Sequence, residues 1–144
     1  MTSSSVVSLK IMWILFWMTD VGFILYWTST AFGLIPPEYA YNDYTNPILV
    51  AWNWSFAPID IVISVTGFIS IYLWRTKRLQ WSIWALISLV LTSASGLMAI
   101  SYWAIRGEFD LLWWLPNLFL LLYPLLFVRS VALSVSGNKT LVRL

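Results

Sequence analysis

The chain has 144 residues; 60% are hydrophobic, 10% are charged, and Cys and His are absent. Soluble domains average about 45–50% apolar and about 25% charged residues, so this composition belongs to an integral membrane protein. Without Cys or His there can be no disulfide, thiolate chemistry, Cys/His zinc site, His-ligated haem or His acid–base catalysis. No cofactor is expected, and a carboxylate-held Mg²⁺ or Ca²⁺ is the metal class left open. The net charge of +2 comes mostly from residues flanking apolar runs and implies no nucleic-acid partner.

The segment MTSSSVVSLK at 1–10 is polar and runs into a long apolar stretch without a small-residue cleavage site. It reads as a retained first span over 8–33, ending at Pro36-Pro37. The 34–46 loop, LIPPEYAYNDYTN, is rich in prolines and tyrosines and is expected to form an ordered outer cap. A second span is predicted over 47–74, stopping at RTKR (75–78), a third over 79–105, and a fourth over 111–133 followed by a short polar tail. Each is long enough to cross a core of about 30 Å at 1.5 Å per residue. The short 75–78 and 106–110 connections make neighbours antiparallel. The fold class is thus all-α: a single four-helix membrane bundle spanning 1–144.

Positive charge sets the expected orientation. Lys10, Arg75, Lys77, Arg78, Arg129, Lys139 and Arg143 lie at one end, whereas the 34–46 loop has no Lys or Arg and the 106–110 loop has one. Met1, Leu144 and the 75–78 loop are therefore expected on the cytoplasmic side. Trp27, Trp74, Trp81, Trp103, Trp113 and Trp114 fall near span ends and read as an interfacial belt.

The polar residues inside the spans carry the functional reading. Asp20 lies ten residues after Lys10, about 15 Å deep, and Asp60 lies thirteen after Pro47, about 20 Å deep. An acid at mid-depth costs roughly 3 kcal/mol on insertion scales, so each is expected to face the bundle interior. Asn53 stands seven residues before Asp60, two helical turns, and shares its face. Asn117 reaches a similar depth on span 4, and TSAS at 92–95 is near mid-depth on span 3. These groups are expected to converge on one ligand pocket lined by Trp13, Trp17, Trp52, Phe56 and Tyr123. The 4-then-3 spacing of Trp13, Trp17 and Asp20 puts them on one face. Pro58 and Pro124 remove helix hydrogen bonds and are expected to widen the bundle. The two acids, near one another in low dielectric, cannot both ionise cheaply, so the Asp20 and Asp60 carboxylates are expected within hydrogen-bond reach, directly or through one water. Such a pair could equally serve only to lock two helices together.

TDVGFILYW at 19–27 and YNDYTNPILVAWNWSFAPID at 41–60 resemble the YvaD-like family of small bacterial four-span proteins, which carries no known activity. More distantly, the chain resembles the EXPERA-type fold of the emopamil-binding sterol isomerase and the sigma-2 receptor, a four-helix bundle with a cavity opening toward lipid. Asp20 sits where the receptor's first span has its amine-binding acid. The string AW-x-x-SF-x-x-x-D at 51–60 is similar to the receptor's second span, whose acid bonds the first. Asn117 with Pro124 matches an isomerase spacing, and FVRS at 127–130 matches the receptor's ending. The resemblance implies an amine anchor at Asp20 supported by Asp60. It also implies a catalytic His, which this chain lacks, and a Trp where Leu120 stands, so sterol isomerisation is not expected to carry over.

The leading expectation is a protein of the bacterial plasma membrane, with the lipid bilayer and a small hydrophobic ligand or lipid as partners. The ligand would be an amphiphilic amine, sterol or isoprenoid. The alternative is an accessory subunit of a larger membrane complex, or a homodimer, with the polar cluster setting helix specificity. An isomerase or proton-coupled transporter using the two acids is a weaker third.

Overall fold

The computed structural model describes residues 3–40 and 43–141. Met1, Arg143 and Leu144, which enter the orientation expectation, lie outside the described residues, as do Tyr41 and Asn42 of the cap loop. The order is α1 (Ser3–Ala31), α2 (Pro37–Ala40), α3 (Pro47–Trp54), α4 (Phe56–Arg75), α5 (Trp81–Arg106), α6 (Leu111–Leu122) and α7 (Leu125–Leu141). There is no strand among these residues. They form four transits long and apolar enough to cross a membrane: Leu9–Ala31, Pro47–Arg75, Trp81–Arg106 and Leu111–Ser136. These match the four spans read from the sequence to within a few residues, except that α7 continues as helix to Leu141 where a polar tail was expected.

Two transits are interrupted where proline removes an N–H. α3 and α4 meet at Ser55, three residues before Pro58, and α6 and α7 meet at Tyr123-Pro124. Ser93 on α5 donates its hydroxyl to the Leu121 carbonyl at the second break, 3.0 Å away. The turn after α5 uses Gly107 at φ 70°, a left-handed helix end that glycine adopts without Cβ strain. Asn46 and Asp110 cap α3 and α6, each accepting from a backbone N–H two residues on.

α5 is the central helix. Seven of its nine buried residues, Ser82, Ala85, Ser88, Thr92, Ser95, Gly96 and Ala99, are small, and most recur every three or four positions. This lets α4 pack on one side and α6 and α7 on the other, while α1 packs on α4. At Gly96 the approach is nearly backbone to backbone. A Cβ there would lie 2.6 Å from the Leu121 nitrogen and 2.7 Å from the Asn117 carbonyl oxygen.

The polarity is reversed relative to a soluble bundle. Asp20, Ser64, Ser70, Ser82, Ser88, Thr92 and Ser95 are buried, while Met18, Leu25, Met98, Leu112 and Leu126 are exposed. In hydrocarbon the bilayer accepts an apolar exterior and the interior must hold the polar groups. A tight cluster of Met12, Trp13, Phe16, Ile71, Leu89, Tyr123, Phe127 and Val131 fills the end nearer the termini. The opposite end has a smaller buried apolar cluster of Trp27, Phe56 and Ala99, with Leu49 and Trp103 also buried, and there the bundle is hollow.

Candidate functional site

The hollow end holds a cavity of about 400 Å³. α1 supplies Met18, Gly22, Phe23, Tyr26 and Trp27, and α3–α4 supply Trp52, Asn53, Phe56 and Asp60. Ser95 and Ala99 come from α5, and α6 adds Trp113, Pro116, Asn117 and Leu120. Close helix packing joins α1 to α4 and α6 to α5, whereas α1 and α6 are not closely packed, and the cavity lies between them. Tyr39, on the short helix α2, also lines it.

Asp60 is the acid of this cavity. Its Oδ2 accepts from Trp27 Nε1 at 2.9 Å and its Oδ1 accepts from Ser95 Oγ at 3.1 Å, both bonds buried. Asn53, two turns away on the same face, also lines the cavity, as its spacing predicts. It is 4% exposed, and its side-chain nitrogen has no hydrogen-bond partner. Asn117 faces the cavity while donating to the Trp113 carbonyl at 2.8 Å. Trp52 packs edge-on to Phe56 and stacks on Tyr102 with ring centroids 3.9 Å apart, fixing that wall.

Asp20 is elsewhere. It is buried, but its carboxylate lies against Gly67, and Oδ2 has no hydrogen-bond partner. The expected Asp20–Asp60 hydrogen bond is not formed, since Asp60 is held by Trp27 and Ser95. The physical reason is direction. Side chains tilt toward the N-terminus of their own helix, and α1 and α4 run antiparallel. Asp20 stands beside Ser64 and Gly67, one and two turns past Asp60 on α4, and the tilt carries the carboxylates further apart, Asp60 toward the cavity and Asp20 away from it. Their backbones do meet: the Ser64 hydroxyl reaches the Asp20 carbonyl at 3.1 Å and the Asp60 carbonyl at 3.0 Å.

Three other expected pocket residues also lie outside the cavity. Trp13 is in the tight cluster against Phe16, Trp74 and Trp81. Trp17 is 42% exposed, packs on Phe68 and lies under the Arg75 guanidinium, so it does not share an inward face with Trp13 and Asp20. Tyr123 is buried in the tight cluster and stacks on Phe119. Conversely, Trp27 and Trp103, read as belt residues, are interior, being 7% and 4% exposed. The place of Trp27 near a span end gives the same signal as an interfacial tryptophan, so the sequence does not mark it as a cavity residue. Ser95, by contrast, was within the TSAS string.

The chain is 53% identical to the "Uncharacterized protein YvaD" of Bacillus subtilis (strain 168) over 132 residues, 92% of this chain and 98% of that protein. The resemblance read from residues 19–27 and 41–60 is thereby borne out. No solved structure matches the chain. A family match over residues 12–137 takes in every residue that lines the cavity, and the chain belongs to that family, the "Family of unknown function (DUF5360)".

Proposed function

We propose that this is a membrane protein that binds a hydrophobic or amphiphilic small molecule in the α1–α6 cavity, with Asp60 as its polar anchor. The observation that carries the reading is a single buried carboxylate set in an aromatic cavity of about 400 Å³. Trp27 and Ser95 use one site on each oxygen, and a carboxylate offers about four, so Asp60 keeps capacity for a ligand donor. An ammonium placed there would offset the desolvation of both charges. Among the lining residues there is no Lys or Arg, so an anionic head would meet only Asp60's charge. The likeness to the EXPERA-type fold is consistent with an amine or sterol-like body, but the anchor moves from Asp20 to Asp60. Asp20 takes the role of a helix contact, fitted against Gly67.

Mass spectrometry of the protein released from detergent with its lipids retained should detect a bound hydrophobic small molecule, or uptake of added dodecylamine. A chain that carries nothing and takes up no dodecylamine would rule the reading out.

We also propose that the termini and the 75–78 loop lie in the cytoplasm of a bacterium, as the Lys/Arg asymmetry favours. The chain has no native Cys, so single cysteines report cleanly. With an impermeant thiol reagent on intact cells, Asp43→Cys and Glu108→Cys should label and Thr76→Cys should not. Labelling of Thr76→Cys from outside would invert the topology.

A further inference from the structure

Asn53 Nδ2 and Thr19 Oγ1 are buried in the cavity lining without a partner, and of these Asn53 shares a helix face with Asp60. Asp60 is an acceptor already met by two donors, and Asn53 is a buried donor met by no acceptor. A buried N–H left unpaired costs about 1–3 kcal/mol, so the Asn53 amide is expensive unless something completes it. Both side chains lie on one face, seven residues and so about 10 Å apart along the helix. We infer that the ligand is bifunctional: a hydrogen-bond donor sits at Asp60, and an acceptor oxygen, of a carbonyl or ether, sits roughly 10 Å away at Asn53. The rest of the molecule is apolar and carries no anionic group. This rests on the binding reading above and narrows it from any amine or sterol to an amphiphile with two polar points at fixed spacing. A plain alkylamine would satisfy Asp60 and leave Asn53 unpaired.

The test uses three probes on the full-length protein in nanodiscs, read by tryptophan fluorescence. Hexyl ε-aminocaproate carries its ester carbonyl five methylenes from the ammonium. Tetradecylamine has the same number of heavy atoms and no carbonyl. Hexyl glycinate has its carbonyl beside the ammonium. Asn53→Leu keeps the side-chain size and removes the amide. It should weaken hexyl ε-aminocaproate about tenfold and leave the other two within about twofold. Asp60→Asn should weaken all three. Comparing each probe with itself across variants cancels differences in partitioning into lipid. If the Leu variant does not fold, Asn53→Ala gives the same readout. If Asn53 substitution shifts all three probes equally, or none, while Asp60→Asn still weakens them, the bifunctional ligand is overturned and the Asp60 anchor stands. If no probe binds the parent, both fall.

Discussion

Gly96→Ala should lower the stability of the bundle by about 3 kcal/mol, the upper end of what overpacking costs. The added methyl would meet the Leu121 nitrogen, the Asn117 carbonyl oxygen and the Leu120 carbonyl carbon, at 2.6, 2.7 and 3.0 Å. These are backbone atoms, so relief requires α6 to move away from α5. The gain in helix propensity, about 1 kcal/mol, opposes this and is too small to win. Gly67→Ala makes an instructive contrast. There the obstacle is a side chain, the Asp20 carboxylate, with Cγ at 2.6 Å. Gly67→Ala should also destabilise, but Asp20→Ala in the same chain should restore much of the loss. No side-chain truncation on α6 should rescue Gly96→Ala. Thermal melts of the parent and these variants in one detergent decide it. A Gly96→Ala protein melting with the parent would mean that α5 and α6 do not approach as closely as described.

Asp60→Asn should weaken dodecylamine binding by roughly 2–4 kcal/mol, about 30- to 1000-fold, because it removes one partner of a buried charge pair. Asp20→Asn should leave that affinity unchanged, since Asp20 does not line the cavity. This reverses the order expected from the sequence, where Asp20 was the anchor and Asp60 its support. Titration of parent and both variants, followed by tryptophan fluorescence, reads the difference directly. Equal losses in the two variants would return the site to a joint one, and a loss confined to Asp20→Asn would move the anchor back to α1.

The reversal marks where sequence reading stops. The spans were legible because length and hydropathy fix a transit, and the shared face of Asn53 and Asp60 was legible because seven residues make two turns. The depth of Asp20 could be counted from Lys10, but its bearing could not. α1 is apolar nearly all round, so its sequence does not mark an inward face, and Trp17 turned outward while Trp13 turned in. Tyr123 failed for a different reason. The chain stays helical from Asn117 to Tyr123, and six residues turn it about 240° round the axis, off the face of Asn117. Trp27 needed a partner on another helix to reveal its role, and no single-helix pattern contains that pair.

The hollow end and the solid end divide the molecule's work unevenly. Cohesion resides where Met12, Phe16, Leu89, Phe127 and Val131 interlock, and truncating any of these opens a void in a close-packed region. The walls around Phe23, Trp113 and Leu120 border open space, so a change of size there alters the shape of the hole before it disturbs the fold. The protein is built like a vessel standing on a ballasted base. Reshaping the rim would change the hole, with the base still holding the four transits together.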